Sequence, residues 1–136
     1  MGKASQRKLV VDTDILIDYL RQSKRPTLLK HLISQKKILL YISAVTVAEL
    51  WRGRSIEKNT ERLKVKRLLK KLTIVPVDTK IAQQAGELLR HYPHLVLADA
   101  LVASTALEKT CELVTLNKRH FTGIDSLLLY EQQNGT

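Results

Sequence analysis

Leu9-Val10-Val11 is an apolar, β-branched run without polar alternation, and it stops abruptly at an acid, Asp12. A strand of that kind has no face for water, so it belongs inside a sheet covered on both sides by helices. In open α/β sheets, ligands collect in the crevice beyond the carboxyl ends of the strands, where the following helices also point their amino termini. Asp12 is therefore the first candidate catalytic acid. The structural alternative is a helix cap, because Asp12, Thr13 and Asp14 can all accept from free backbone N–H groups. Asp14 is assigned to capping, and Asp18 to solvent or a basic neighbour.

The rest of the chain repeats the pattern of strand and helix. Strands near residues 9, 38, 73, 112 and 126, separated by helical periodicities, predict a three-layer α/β/α sandwich around a central, parallel, five-stranded sheet. Pro76, within a third strand read over Thr73 to Val77, places that part of it at an edge or a strand end, and Asp78-Thr79 caps the helix after it. All 136 residues fit one domain, with residues 1–7 and 131–136 as loose tails. Hydrophobic content of 44% with only 4% aromatic residues points to an aliphatic core. A single cysteine, Cys111, excludes an intrachain disulfide and a cysteine-based zinc site, and its apolar surroundings predict a buried, inert thiol. No stretch approaches the roughly 20 apolar residues of a membrane span, and the amino terminus lacks a signal-peptide core, so a soluble cytoplasmic protein is expected.

Two further acids join Asp12. Glu49 follows the second strand in Thr46-Val47-Ala48-Glu49, which also reads as a capping box. Asp99 is the conspicuous acid at the mouth of Ala98-Asp99-Ala100-Leu101-Val102-Ala103, a helix apolar nearly all round; there it gains about 0.3–1 kcal/mol from the helix dipole even without a chemical role. Each is placed near a junction leading into a helix, so right-handed crossovers can bring all three to one edge of the sheet. Clustered carboxylates repel one another unless a cation neutralises them, and hard oxygen ligands suit Mg2+ or Mn2+. His91 and His94 would be ligands only if brought close to acids. The formal net charge of +10 favours a polyanionic partner, and Arg62 to Lys71 is the densest basic face. That face reads as solvated helix surface or as a track for phosphates; it has no interleaved aromatics for base stacking.

Four motifs together resemble the PIN-domain ribonucleases, and most nearly the toxin half of VapBC-type toxin–antitoxin pairs. They are Val11-Asp12-Thr13-Asp14-Ile15-Leu16-Ile17, Thr46-Val47-Ala48-Glu49-Leu50, Ala98-Asp99-Ala100-Leu101-Val102-Ala103 and Leu113-Val114-Thr115-Leu116-Asn117-Lys118-Arg119-His120-Phe121. The resemblance spans nearly the whole chain, in order. It implies a sandwich holding Mg2+, with Mn2+ as a substitute, through Asp12 and Asp99 with Glu49 assisting. It implies metal-dependent endonucleolytic cleavage of RNA, structured RNA such as transfer RNA included, by a homodimer that a small antitoxin inhibits. Many relatives carry a fourth acid near Asn117, where this chain has an amide able to orient water or phosphate without adding charge. The hydroxyls of Thr13, Ser43 and Thr115 are candidates to hydrogen-bond the acids, or else to satisfy backbone.

Two other classes compete. A receiver-like signalling domain also gathers acids and Mg2+ at strand ends and would use Asp78 as phosphate acceptor, but it leaves Glu49 and Asp99 without a role. A basic RNA-binding module with weak catalysis is the other alternative, suggested by the amide at position 117.

Overall fold

The computed structural model describes residues 6–21 and 24–132. Strand β1 (Arg7–Val11) leads into α1 (Thr13–Arg21) and α2 (Leu28–Ser34), then β2 (Ile38–Ser43) runs directly into α3 (Ala44–Trp51). A 3-10 turn at Arg54–Glu57 precedes α4 (Asn59–Leu69) and β3 (Thr73–Val75). The helical hairpin of α5 (Thr79–His91) and α6 (Leu97–Lys109) returns to β4 (Glu112–Val114), and α7 (Lys118–Phe121) is a single turn. All strand pairs are parallel, in the order β3-β2-β1-β4.

Burial of β1 on both faces follows from its lack of alternation. Leu9 and Val11 face a core with Ile15, Leu16, Leu29, Leu32, Val65 and Leu68, from α1, α2 and α4. Val10 faces the other way, into Ala85, Leu88, Ala103 and Ala106 of the α5–α6 hairpin. The small side chains of α6 let it lie close on the sheet. The three-layer α/β/α class is thus as expected from the sequence, and so is the edge position of β3. Cys111 is buried, and burial pushes its thiol above the ordinary cysteine range.

The sheet has four strands among the described residues, not five. The segment from Ser126 to Tyr130 contributes one parallel bridge, Leu113 to Leu129, closed by Leu113 N–H donating to Leu128 O and Tyr130 N–H to Leu113 O, each at 2.8 Å. The pairing stops at this one bridge because β4 itself ends at Val114, one residue beyond it. Left-handed backbone at Gly123 (φ 90°) and Ser126 (φ 67°) also turns the chain just before this segment. Arg7, expected in a loose tail, lies in β1: it ion-pairs with Glu112 at 2.7 Å and covers the Tyr130 ring. Residues 1–5 and 133–136 of the expected tails, and Gln22 of the expected first helix, lie outside the described residues.

Strand order places the site. From β1 the chain steps outward to β2 and β3, then crosses back to the opposite side of β1 for β4. The reversal opens a crevice at the carboxyl ends of β1 and β4. Helix α3 packs against both α1 and α6, so it ties the two helical layers together beside that crevice. The fully buried Leu9 is a test of the central strand: Leu9→Ala should lower unfolding free energy by roughly 2–5 kcal/mol in urea titrations, whereas Leu128→Ala, at a side chain 67% exposed, should change it by less than about 0.5 kcal/mol.

Candidate active site

Asp12 sits one residue past β1, and its N–H donates to Val114 O at 2.9 Å, extending the β1–β4 ladder by one bond. Its carboxylate is 7% exposed. Oδ1 accepts from Thr13 N–H at 2.8 Å, and Oδ2 accepts from the Thr115 hydroxyl at 2.8 Å. Even with these donors the group is held far from its ordinary state. Burial, followed by the like charge of Asp14, pushes the Asp12 carboxyl up to about 7, and Asp99 adds to the rise.

Glu49 reaches the same crevice by another route. The N-cap of α3 is Ser43, whose Oγ accepts from Val45 N–H at 3.1 Å, so the helix starts earlier than a Thr46–Glu49 capping box would require. Glu49 is therefore the sixth residue of α3 and not a helix-start acid. Its Oε1 accepts from the Thr13 hydroxyl at 2.6 Å. Thr46 Oγ1 lies 3.0 Å from Thr13 Oγ1. A hydroxyl has one proton to give, so Thr13 donates to the carboxylate and Thr46 donates to Thr13. This chain of hydroxyls fixes Glu49 against the start of α1.

Asp99 occupies the first turn of α6, half-buried, with Oδ2 3.2 Å from His120 Nδ1. Burial raises its carboxyl, His120 pulls it back down, and the charges of Glu49 and Asp14 raise it further. Asp12 thus feels the charges of Asp14 and Asp99, and Asp99 those of Glu49 and Asp14, so the four acids lie near one another around the crevice. The hydroxyls of Thr13 and Thr115 meet the acids; that of Ser43 is committed to capping α3. Asn117 Nδ2 donates to Asp14 Oδ2 at 2.9 Å, and its N–H donates to Thr115 Oγ1 at 3.0 Å.

Two residues here were assigned otherwise or overlooked from the sequence. Asp14, read as a cap, instead turns to β4 and accepts from Leu116 N–H at 3.2 Å. Burial pushes its carboxyl up, and the Leu116 amide and Thr115 hydroxyl oppose the rise. The signal was its place in the first turn of α1, where side chains lean back toward the helix start and hence toward the strand ends. His120 is the histidine beside an acid, whereas the sequence drew notice to His91 and His94. Asp78, the acceptor in a receiver-like reading, caps α5 by accepting from Ile81 N–H at 2.9 Å, after an edge strand. Asp18 pairs with Arg25 at 3.1 Å.

The donor set is hard carboxylate oxygen, raised by burial and mutual repulsion, which fits a divalent cation. Among the described residues no three His, Cys, Asp or Glu side chains are drawn tightly enough together to form a finished coordination shell. Coordination would therefore require side-chain adjustment. Lys118, Arg119 and His120 line a shallow cleft with Leu116 and Asn117 at the rim. Among the described residues no helix is long and apolar enough to cross a membrane.

A strand-order reversal with four carboxylates at its mouth defines a class, and the comparisons agree: the chain belongs to the PIN domain family, whose profile matches residues 9–126. It is 35% identical over 125 residues to ribonuclease VapC10 of Mycobacterium tuberculosis, covering 88% of this chain and 90% of that protein. A toxin–antitoxin complex from Klebsiella pneumoniae superposes with a TM-score of 0.73 at 27% identity, covering 91% of this chain and 99% of the other. VapBC2 from Rickettsia felis, bound to a DNA fragment from its promoter, gives a TM-score of 0.76 at 25% identity, covering 92% and 98%.

The raised Asp12 carboxyl has a pH consequence for the metal-free protein. Between its ordinary value of 3.8 and about 7, the folded state keeps a proton that the unfolded chain has released. The stability this confers is complete below about pH 4 and is lost as pH rises through 7. Asp14 and Asp99, also raised, act in the same direction. In EDTA, thermal unfolding of the parent should therefore fall more steeply between pH 4.5 and 8 than that of Asp12→Asn. Parallel curves would show that Asp12 ionises as freely in the folded state as in the unfolded one.

Proposed function

We propose that this chain is the endoribonuclease toxin of a VapBC-type toxin–antitoxin pair, and that it hydrolyses RNA phosphodiester bonds at the Asp12–Glu49–Asp99 crevice with Mg2+, or Mn2+ in its place. The observation that carries the reading is the buried Asp12 carboxyl flanked by Asp14 and Asp99 in a family member 35% identical to a protein named as a ribonuclease. So much negative charge, partly buried and unbalanced, suits a site that works with a cation.

Asp12 and Asp99 would hold the ion, with Glu49 assisting. A divalent ion bound there would neutralise the carboxylates, favour deprotonation of water and stabilise charge growing on the phosphate. The protein's own groups do the rest. The Thr115 hydroxyl and Thr13 N–H keep the Asp12 carboxylate in one orientation. Thr13 holds Glu49 by Oε1, which leaves Oε2 to accept the proton of an attacking water. As the oxygen of that water bonds to phosphorus, the bond from phosphorus to one ribose oxygen breaks; that oxygen takes a proton from solvent, and Glu49 later returns the water's proton to solvent. Lys118 and Arg119 at the rim receive flanking phosphates, which position the strand without reading its bases.

The overall charge of +10 supports a polyanionic substrate and gives the attraction a salt dependence. Structured RNA such as transfer RNA is the proposed substrate class. The structural relatives are toxin–antitoxin complexes, which supports a small antitoxin as partner, and a second copy of this chain completes the proposed assembly. The cytoplasm is the proposed site of action.

Purified protein free of antitoxin, incubated with structured RNAs including transfer RNAs in Mg2+, Mn2+ or EDTA, tests the reading. Discrete cuts are expected in either metal and not in EDTA, with Asp12→Asn slower by roughly a hundredfold or more. Binding in both metals with no cuts would favour the non-cleaving RNA-binding alternative.

A further inference from the structure

We infer that Asp14 supplies the fourth negative charge of the metal site, the charge that Asn117 lacks, and that Asn117 serves to pin Asp14 in that role. The inference rests on the metal-dependent reading above and extends it to a residue that reading does not need. Within the crevice, one hydroxyl links the two acids of the Asp12-Thr13-Asp14 motif: Thr115 Oγ1 lies 2.8 Å from Asp12 Oδ2 and 3.3 Å from Asp14 Oδ2. Both carboxylate oxygens are thus within reach of a single atom. The hydroxyl has one proton, which goes to the nearer Asp12, and it accepts from Asn117 N–H at 3.0 Å. Asp14 must then be held by other donors.

Those donors come from the segment after β4. Asn117 Nδ2 donates to Asp14 Oδ2 at 2.9 Å, and Leu116 N–H lies between the two oxygens, at 3.3 Å from Oδ1 and 3.2 Å from Oδ2. Among the described residues no side chain donates to Oδ1, which shares the Leu116 amide at 3.3 Å, and this is the oxygen the inference assigns to the cation. An aspartate at position 117 could not fill this place. It would offer acceptors where Asp14 needs a donor, and two like charges would be pressed together. The amide reverses the arrangement: position 117 becomes the donor, and the negative charge moves to position 14. The total charge around the crevice is kept although its position changes.

A purely structural alternative exists, in which Asp14 merely ties α1 to the segment after β4. The two roles separate in metal affinity. Mn2+ binding to the full-length protein, free of antitoxin and RNA, can be followed by calorimetry and by the loss of the free-ion signal in electron paramagnetic resonance. Asp14→Asn should weaken Mn2+ binding at least tenfold while the fold is retained by circular dichroism. Adding Asn117→Asp to that variant should restore affinity to within about threefold of the parent, because it exchanges the donor and the charge between the two positions. Asn117→Ala, which removes the pin and keeps Asp14, should weaken binding by a smaller factor.

Mn2+ affinity unchanged in Asp14→Asn, alongside its loss in Asp12→Asn, would overturn the inference and leave the metal-dependent nuclease reading standing. Unchanged affinity in Asp12→Asn as well would overturn both. Failure of Asn117→Asp to rescue Asp14→Asn would likewise reject the exchange of roles.

Discussion

A carboxylate buried at the end of the central strand is the constraint on which the rest of the crevice depends. Asp12 cannot move to water, because its own N–H is part of the β1–β4 ladder and its backbone carbonyl accepts from Ile15 N–H in the first turn of α1. Everything around it answers that fixed charge. The Thr13 amide, the Thr115 hydroxyl and, through Thr115, the Asn117 amide are arranged as donors around a group that burial would otherwise neutralise. The reversal of strand order supplies the space, and the acids fill it.

Charge is distributed on two scales. Over the whole molecule the balance is strongly positive, whereas the crevice is locally negative. A polyanionic strand would be drawn by the first and repelled by the second, so the long-range field can deliver a phosphate only to the rim, where Lys118 and Arg119 stand. On the proposed metal-dependent reading, a cation between phosphate and carboxylates would admit the strand further. On that reading binding and cutting are separable: monovalent salt would screen the first, and removal of divalent metal would stop the second.

The parts of this structure legible in the sequence were those set by local pattern and hard steric rules. Leu9-Val10-Val11 had to be buried on both faces, Pro76 had to fall at an edge or a strand end and follows the last residue of the edge strand β3, and Asp78 capped its helix because its side chain can satisfy an amide three residues on. The fifth strand was overread, since an apolar run in Ser126 to Tyr130 says nothing about how long the neighbouring strand is, and β4 ends at Val114. The place where α3 begins was also misjudged: Ser43 and Thr46 are chemically equal as caps, and only continuity with β2 selects Ser43. The nearness of Asp12, Glu49 and Asp99 was legible through residue type and position at strand–helix junctions. Asp14 was missed because its partners, Leu116 and Asn117, are a hundred residues away, and no periodicity records such a contact.

Three raised carboxyls in one crevice work against folding at neutral pH, so the fold must tolerate them by strength elsewhere. The two cores on opposite faces of β1 provide that strength at a distance from the acids, through aliphatic side chains with almost no exposed surface. Thr13 and Thr46 mark where the two regimes meet. Both are nearly inaccessible, yet their hydroxyls form a polar thread from the first turn of α1 to Glu49 in α3. Replacing either by valine would keep the volume and lose the thread, leaving Glu49 without its donor or that donor without its support. The rigidity of the sandwich and the placement of its acids are therefore joined through two threonine hydroxyls, and the apolar core alone would not fix where the carboxylates stand.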